Sequence, residues 1–504
     1  MRKLFLLICA ATLAHAVTLP EIFGDHMVLQ QGKPVPVWGT ADAGAQVVVV
    51  FGSQKKTATA DAAGTWRITL DILQASATPR ELSVQSNLPA PQTIVVKDVL
   101  VGEVWLCSGQ SNMFWPVGKI SNQRSSWPGV QNGEEEVANA QWPLIRLNCA
   151  SDYELGPGGW RVCTPESTRG FSATAYFFGR ELHGQLGVPI GLINRSIGGT
   201  SLQAWTPKHE LESLPYIQAN SRLLAESRAT IQEWNRTFAE FRNQTKAGAT
   251  PRPQRPAPLP VDLEAARKLQ NHGELHERDI APLVPFAVRG NIWYQGESNA
   301  APPALAAAYA DMLDALISGR RRLWADPKLP FYFVQLPIFN NPNSGEHWHI
   351  VREGMRRVHE RTPDTGMIVT YDFCDTSVLH PPEKQEVGRR LALWALAHDY
   401  GKAVPFSGPL LRGVSFQGRS AVLSFNHADG LQPSDGKPLR GFELAGDDGR
   451  FRPASAEIRG QTVVVRSESV ALPKHVRFFY GGDDVPNLVN GARLPASPFT
   501  TGSF

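Results

Sequence analysis

The sequence is poor in cysteine and has no strong excess of charge of either sign. Its 504 residues include 5 cysteines, and the formal net charge is +3 at pH 7. So few cysteines exclude a small scaffold framed by disulfides. So small a net charge gives no basic stripe of the kind that binding to a polyanion requires. We therefore expect a globular protein that does not bind nucleic acid.

Long apolar runs are also missing, apart from one at the N-terminus. Leu4 to Leu13 follows Arg2-Lys3 and precedes Ala14-His15-Ala16, which is the order of a signal peptide. No later stretch approaches the ~20 apolar residues of a membrane span. We predict a signal peptide over residues 1–16, no membrane span, and export to the periplasm or the extracellular space. The alternative, a lipid anchor on Cys9, lacks small residues ahead of the cysteine.

Common cofactor motifs are absent as well. No Gly-rich loop ends in Lys-Ser/Thr, and there is no His-Glu-x-x-His motif or paired cysteine spacing. These absences argue against phosphate-binding and metal-hydrolase functions. Export leaves Cys107, Cys149, Cys163 and Cys374. Cys149 and Cys163 can form a disulfide across a short loop, or all four cysteines can be small buried thiols; the sequence leaves both open.

A chain of this length predicts two or three domains. Residues 17–98 contain short β-rich runs between Gly, Asp and Ala turns and predict an N-terminal β-sandwich. Residues 99–402 alternate apolar strands with helical patterns, which predicts a parallel sheet in a three-layer α/β/α domain. Residues 403–504 return to short strands and predict a C-terminal β-rich domain. The predicted strands of the parallel sheet are Val101 to Leu106, Pro189 to Asn194, Val288 to Tyr294, Phe331 to Leu336 and Met367 to Tyr371.

An insertion at about 208–285 interrupts this alternation. It has apolar residues at helical spacing and the Pro-rich stretch Pro251 to Pro260. It can pack over or beside the active-site face, form a dimer contact or be a surface arm. The sequence does not decide between these, and it leaves the oligomeric state unknown.

Ser111 is the candidate nucleophile. It lies in Val104-Trp105-Leu106-Cys107-Ser108-Gly109-Gln110-Ser111-Asn112-Met113, where a buried strand ends in a glycine. A serine at a strand-to-helix turn has an exposed hydroxyl, and its own N–H can face an oxyanion. Taken alone, the tripeptide Gly109-Gln110-Ser111 can also be an ordinary turn without a catalytic role.

Two further segments follow predicted strands and carry hydrogen-bond donors. Ser196-Ile197-Gly198-Gly199-Thr200 offers unhindered backbone N–H groups. Ile292-Trp293-Tyr294-Gln295-Gly296-Glu297-Ser298-Asn299 offers the Gln295 amide as an oxyanion donor and Glu297 as a support for backbone or substrate. A tight turn and a capped helix start are the respective alternatives.

His380 is the candidate base. It lies in Leu379-His380-Pro381, in a loop before a helical pattern that begins at about Glu383. Imidazole is the usual base for activating a serine, because its ordinary pKa lies near neutrality. The sequence contains twelve other histidines, so the choice of His380 depends on its occurrence together with the three other motif segments.

Together, these four segments resemble the blocks of the SGNH-hydrolase superfamily, in its sialate O-acetylesterase-like branch. The resemblance covers nearly the whole mature chain and includes Met27-Val28-Leu29-Gln30, Phe171-Ser172-Ala173 and Asn487-Leu488. It implies a flavodoxin-like α/β fold, a serine esterase without metal or organic cofactor, and an O-acetylated carbohydrate as substrate.

The resemblance also implies roles for individual residues. Ser111 attacks the acetyl carbonyl, and His380 takes its proton and returns it to the leaving sugar hydroxyl. The oxyanion hole combines the Ser111 N–H, an N–H from Gly198 or Gly199, and the Gln295 side chain. Gln110, Asn112, Glu297 and Asn299 are expected to bind substrate or support the site.

One departure concerns the third catalytic member. The superfamily commonly has Asp three residues before the histidine, where this chain has Ser377, and the branch often has Asp two residues before it, where this chain has Val378. A backbone carbonyl near Ser377 can hold the imidazole, or Asp375 or Asp372 can reach it. We favour the carbonyl slightly, since a triad needs an orienting group but does not dictate its source.

The substrate is open within the resemblance. O-acetylated sialic acid is the first expectation, and acetylated xylan or another plant polysaccharide is the alternative. A protein of another class, a glycan-binding protein without catalysis, is the competing interpretation. A nucleophile, a base and an oxyanion donor present together argue against it.

Overall fold

The computed structural model describes residues 16–502, except 89, 122–125, 151–157, 249, 340–346 and 481–484. The predicted signal peptide falls almost entirely outside the described residues. Within the described ranges, no helix has the length and apolar character needed to cross a bilayer.

The N-terminal region is built mainly from antiparallel strands, and one short strand, Val28–Gln30, pairs in parallel. Its strands are β1 (Val28–Gln30), β2 (Val35–Thr40), β3 (Gln46–Phe51), β4 (Gln54–Thr59), β5 (Thr65–Leu70), β6 (Ser76–Ser86) and β7 (Gln92–Gly109). β4, β3, β6 and the first half of β7 form one sheet, and β2 pairs with β5. Alternate residues such as Val47, Val49 and Phe51 are buried, as expected for strands with one face on a core.

The long strand β7 joins this sheet to the central one. Its second half is buried at every position from Val99 to Gly109. The same strand therefore ends the N-terminal sheet and begins the parallel sheet. The predicted boundary between residues 98 and 99 falls inside this continuous strand.

The central region contains most of the helices. Its elements are α1 (Ser111–Phe114), β8 (Ile120–Ser121), β9 (Ser126–Trp127), α2 (Gly133–Ala138), β10 (Trp142–Cys149), β11 (Gly159–Cys163), α3 (Pro165–Arg169), α4 (Ala173–Leu186), β12 (Ile190–Ser196), α5 (Lys208–Leu211), α6 (Pro215–Glu226), α7 (Arg228–Lys246), α8 (Val261–Arg267), β13 (Gly290–Tyr294), α9 (Pro303–Ala307), α10 (Tyr309–Leu323), β14 (Phe331–Val334), α11 (Trp348–Arg361), β15 (Thr365–Ile368) and α12 (Lys384–His398). Short 3₁₀ helices cover Leu202–Trp205, Ala281–Leu283, Glu297–Asn299 and Tyr371–Phe373, and a short π-helix covers His276–Ile280.

The central sheet has the order β11-β10-β12-β7-β13-β14-β15. All of its pairs are parallel except the edge pair of β10 and β11. Residues of β7 alternate between two cores: Trp105 and Cys107 belong to one with α4 and α12, whereas Val104 and Leu106 belong to the other with α10 and α11. This alternation produces three layers and confirms the predicted α/β/α fold.

Helices α4 and α12 pack closely because α12 has a glycine at the contact. A Cβ atom on Gly388 would lie 2.6 Å from the backbone nitrogen of Phe178. A larger residue would push α12 away from the sheet. Since His380 lies just before α12, this close packing helps to fix the position of the histidine loop.

The C-terminal region is β-rich. Its strands are β16 (Leu410–Gln417), β17 (Ser420–Asn426), β18 (Gln432–Pro433), β19 (Phe442–Ala445), β20 (Arg452–Pro453), β21 (Ser455–Arg459), β22 (Thr462–Arg466), β23 (His475–Phe478), β24 (Leu488–Val489) and β25 (Phe499–Thr500). Its core includes Val369 and Tyr371, which follow β15, and the Tyr371 hydroxyl donates to the carbonyl of Ala496 at 2.8 Å. The region therefore anchors the start of the segment that leads to His380.

The four described cysteines are free thiols. The antiparallel pairing of β10 with β11 places Cys149 opposite Gly159 and Cys163 opposite Trp142. The two cysteines thus lie at opposite ends of this ladder, too far apart to bridge. Of the two possibilities left open above, the structure shows the unpaired one.

Candidate active site

Three neighbouring parallel strands end together at one edge of the central sheet. β7 lies between β12 and β13, and the registers align Gly109 with both Ser196 and Tyr294. Ligands of open α/β sheets bind outside the carboxyl ends of the strands. The segments that follow these three ends contain the predicted site residues Ser111, Gly198 and Gln295.

Gly109 allows the chain to turn sharply after β7. Its φ is +148°, and a Cβ atom there would lie 2.1 Å from the carbonyl oxygen of Tyr294. The next residue, Gln110, donates its N–H to the same carbonyl at 3.0 Å. Only glycine fits this close approach, which places Ser111 at the first position of α1.

The structure brings Ser111 and His380 together. The Ser111 hydroxyl and the His380 Nε2 atom are 2.8 Å apart, although 269 positions separate them in sequence. Ser111 is 8% exposed, so its hydroxyl is almost enclosed. A neutral imidazole accepts the hydroxyl proton in this hydrogen bond.

Aromatic packing buries the imidazole. The ring of Trp115 stacks on that of His380 with centroids 4.8 Å apart and planes at 29°, and Trp127 approaches its edge. Burial and, to a smaller extent, the nearby charge of Lys384 together lower the pKa of His380 from 6.5 to about 4. The imidazole is therefore neutral at pH 7 and able to accept a proton.

Neither of the two aspartates considered above contacts the imidazole. The Asp375 carboxylate accepts hydrogen bonds from the N–H and hydroxyl of Ser377 at 2.8 and 2.7 Å, and Asp372 pairs with Arg390. Asp375 is exposed, and the local turn with Ser377 takes up its carboxylate. Among the described residues, nothing hydrogen-bonds the Nδ1 atom of His380, so the expected carbonyl near Ser377 does not hold it either.

The glycine turn after β12 lies over the serine. A Cβ atom on Gly198 would be 3.5 Å from the Ser111 Cβ atom. In the part of the chain that the structure describes, the N–H groups of Ser111 and Gly198 have no hydrogen-bond partner. Gly199 is exposed with a φ of +73° and has open space around it. The turn thus offers free donors beside the hydroxyl.

The Gln295 side chain is hydrogen-bonded to protein groups in this structure. Its Nε2 atom lies 3.1, 3.2 and 2.7 Å from the acceptors Gln110 Oε1, Thr200 O and Asn299 Oδ1, which share its two N–H donors. Its Oε1 atom accepts from the Tyr309 hydroxyl at 3.1 Å. Because the side chain is completely buried, these bonds satisfy an amide that has no access to water. The oxyanion role of Gln295 stays a prediction; the contacts show that its side chain supports the turns around Ser111.

Two of the predicted supporting residues complete this buried network. Gln110 Oε1 also accepts the N–H of Ser298 at 3.2 Å. Asn299 Oδ1 accepts the N–H of Leu202 at 2.9 Å, and its Nδ2 atom donates to Gln203 at 2.9 Å. The segments after β7, β12 and β13 are thus held to one another by side-chain amides.

Asn112 links two buried charged residues below the serine. Lys384 Nζ donates to Asn112 Oδ1 at 2.6 Å, while Asn112 Nδ2 donates to Glu297 Oε1 at 2.5 Å and to the carbonyl of Leu379 at 3.3 Å. Burial lowers the pKa of Lys384 to about 8 and raises that of Glu297. The amide dipole is oriented by a cation on one side and a carboxyl group on the other, and it ties the histidine loop to the nucleophile segment.

Trp115 and Lys384 are site residues that the sequence analysis does not single out. Trp115 lies four residues after Ser111, and Lys384 lies four residues after His380. Those short separations are the available signal. Aromatic and charged residues are common in such segments, so the spacing alone does not distinguish them from ordinary helix positions.

The chain is similar to known esterases over most of its length. The family model described as "Carbohydrate esterase, sialic acid-specific acetylesterase" matches residues 101–234 and 270–396. A sialate O-acetylesterase of Rattus norvegicus is 30% identical over 84% of this chain and 80% of its own length, and one of Mus musculus is 28% identical over 81% and 78%. The crystal structure of a carbohydrate acetylesterase from Xanthomonas citri is 33% identical, with a TM-score of 0.78 over 97% of this chain and 100% of that chain.

The fold and these similarities define the class of the protein as a serine carboxylic-ester hydrolase with an SGNH-like α/β domain. Within that class, the chain belongs to the sialic acid-specific acetylesterase family of carbohydrate esterases.

Proposed function

We propose that the protein removes O-acetyl groups from carbohydrates by nucleophilic catalysis, with Ser111 as nucleophile and His380 as general base. The observation that carries this proposal is the 2.8 Å contact between the Ser111 hydroxyl and a half-buried imidazole. The lowered pKa of His380, about 4, keeps the base unprotonated at neutral pH. Family membership and the names of the relatives support acetyl-ester chemistry.

The reaction proceeds in two halves. The Ser111 oxygen attacks the acetyl carbonyl carbon while His380 Nε2 takes the hydroxyl proton, and the bond to the sugar oxygen breaks as that oxygen receives the proton. An acetyl-Ser111 ester and the deacetylated sugar result. Water, deprotonated by His380, then attacks the ester, and acetate leaves as the proton returns to Ser111.

Two backbone donors stabilise the negative oxygen of each tetrahedral intermediate. These are the N–H groups of Ser111 and Gly198, which lie beside the hydroxyl and have no other described partner. Removing a single donor from an oxyanion hole typically costs about 10²–10³ in kcat. Gly199, next in the same turn, is the alternative donor.

His380 acts in this scheme as a dyad base without a carboxylate partner. Trp115 fixes the plane of the ring by stacking on it. When the imidazole is protonated, its charge lies over the indole face, where attraction to the ring contributes about 0.5–2 kcal/mol. The Trp115 ring thus takes over part of the orienting and stabilising work of the missing carboxylate.

The first substrate to expect is O-acetylated sialic acid, because relatives are named for that activity. Acetylated xylan or another plant polysaccharide is the second. The leader-like residues 1–16 support export, so we place the reaction in the periplasm or outside the cell.

The test is acetate release by the purified protein from O-acetylated sialic acid, acetylated xylan and acetylated pectin. Ser111→Ala serves as the blank, with its fold checked by circular dichroism. We expect release above the blank from at least one carbohydrate. Parity with the blank on all three, and on an aryl acetate, would contradict the proposal and favour a glycan-binding protein without catalysis.

A further inference from the structure

We propose that a cavity beside Ser111 binds the uncharged sugar unit next to the acetylated one, so that the protein acts on acetylated oligosaccharides in preference to free sugars. This inference rests on the proposed function and names the binding site for the rest of its substrate. The cavity has a volume of about 540 Å³. Clefts of about 300–1,000 Å³ are typical of sites for drug-sized ligands, which among carbohydrates means more than one ring.

Two segments of the cavity wall adjoin the residues around Ser111, although Ser111 itself does not line the cavity. Gly199 and Thr200 line it, and the preceding Gly198 lies against Ser111. Ser298 also lines it, and the Ser298 N–H donates to the side chain of Gln110, the neighbour of the serine. The cavity is therefore the space next to Ser111 into which we propose that the rest of an acetylated glycan extends.

The wall facing the glycine turn comes from the insertion. Glu264, Arg267 and Lys268 line the cavity and lie in residues 235–269, outside the part of the chain that the family model matches. The neighbouring lining residues Asn271 and Glu274 lie at the start of the second matched segment, 270–396.

The insertion is fixed against the site at this point. Lys268 Nζ donates to the carbonyls of Ser298 and Ala301 at 2.9 and 2.8 Å, and the Lys268 carbonyl accepts from Gln203 at 3.1 Å. Gln203 in turn accepts from Asn299 at 2.9 Å. Of the three arrangements that the sequence leaves open for the insertion, packing beside the active-site face agrees with these contacts.

The polar groups of the cavity suit sugar hydroxyls. The side chains of Asn271 and Glu274 are exposed and form no hydrogen bond to the described residues. The Gln270 side chain is half-buried: its Oε1 atom accepts from Asn235 at 2.7 Å, and its Nε2 atom has no hydrogen bond to the described residues. An amide group and a carboxylate provide both donors and acceptors, as hydroxyl groups require.

The charges of the cavity are largely compensated. Arg267 forms a bidentate pair with Glu264 at 2.6 and 2.7 Å, and Arg278 pairs with Asp279 at 2.8 Å. Glu274 is exposed and forms no ion pair among the residues described. The third lining cation, Lys268, is bound to the carbonyls of Ser298 and Ala301. Because all three cations are already engaged, the cavity favours an uncharged ring over a carboxylate.

The experiment compares one acetylated sugar in two forms, free and as the terminal unit of a trisaccharide whose other units are neutral. Steady-state KM and kcat are measured for the wild type, Asn271→Ala and Glu274→Gln, with an aryl acetate as a substrate that cannot reach the cavity. Glu277→Gln is the matched control, because Glu277 is exposed, lies three residues from Glu274 and does not line the cavity.

For the wild type we expect a lower KM for the trisaccharide than for the free sugar. Asn271→Ala and Glu274→Gln should each raise the trisaccharide KM about five- to tenfold, the loss of one or two hydrogen bonds. Their KM for the free sugar and their rates with the aryl acetate should equal those of the wild type and of Glu277→Gln.

Equal KM values for the two sugar forms, or trisaccharide KM values unchanged in both variants, would overturn the inference while leaving the esterase intact. Hydrolysis of the aryl acetate without release from any carbohydrate would instead refute the proposed function, so the two failures are distinguishable.

Discussion

The lowered pKa of His380 predicts an esterase that stays active in mild acid. Catalysis needs the neutral imidazole, so kcat/KM follows the fraction of free enzyme in which His380 is unprotonated. With a pKa of about 4, roughly 90% of the imidazole is neutral at pH 5, whereas a histidine at the ordinary 6.5 would be roughly 3% neutral. We therefore expect kcat/KM at pH 5 to remain near its plateau.

Removing the stacked indole of Trp115 should move the acid limb of the pH profile, where kcat/KM falls as His380 is protonated, to higher pH. Burial is the main cause of the lowered pKa, and Trp115 covers one face of the ring at 4.8 Å. Trp115→Leu should let water reach the imidazole and raise its pKa by about one unit, worth about 1.4 kcal/mol. The variant would then retain about half of its plateau kcat/KM at pH 5.

The assay is the pH dependence of kcat/KM between pH 3.5 and 8 with an aryl acetate, a substrate that does not titrate in this range. Trp142→Leu is the control, because it makes the same substitution at a half-buried tryptophan that contacts His183 and not His380. An acid limb near 6.5 in the wild type would refute the argument from burial. Identical limbs in the wild type and Trp115→Leu would refute the role of the indole.

Three further predictions follow from the same contacts. Asp375→Asn should change kcat/KM by less than about twofold, since that carboxylate bonds Ser377; a loss of several powers of ten would restore it as the orienting group. Lys384→Met should lower the free energy of unfolding by about 3 kcal/mol, because it removes a buried cation that Asn112 and Glu297 face; a loss below about 1 kcal/mol in urea denaturation would contradict this. Stability should also fall as the pH drops from 6.5 towards 4. Four partly or fully buried histidines have pKa values of about 4 in the folded protein, so in this range protons bind the unfolded chain more readily than the folded one, at a cost of up to about 3 kcal/mol each. Urea unfolding that is unchanged from pH 7 to pH 4.5 would contradict this. The histidines concerned are His276, His349, His359 and His380.

The sequence predicts where the site lies because parallel strands bring their carboxyl ends to one edge. Ser111, Gly198 and Gln295 each follow a buried apolar strand, and the structure places them at adjacent strand ends. His380 comes from a separate loop, yet it meets Ser111 at 2.8 Å. The α/β fold and the approximate positions of the predicted sheet strands are confirmed. The roles of these residues in catalysis stay predictions.

What the sequence does not predict depends on side-chain partners from distant segments. The amide of Gln295 is taken up by Gln110, Thr200 and Asn299, and no local pattern reveals that its donors are already used. Lys384 looks like a solvent-facing helix residue, but it is completely buried against Asn112. The parallel strand β10 was also missing from the predicted sheet, since Trp142–Cys149 includes Pro, Arg and Asn and is not a continuous apolar run.

The most direct test of the central claim is to trap the covalent intermediate. The wild type would be mixed with an aryl acetate, quenched in acid within milliseconds, digested and analysed by mass spectrometry, with Ser111→Ala treated in parallel. We predict that the peptide containing Ser111 gains the mass of one acetyl group, that fragmentation places it on that serine, and that the gain disappears at longer times as substrate is exhausted. Turnover by the wild type with no acetylated Ser111 at any time, or undiminished turnover by Ser111→Ala, would contradict the account.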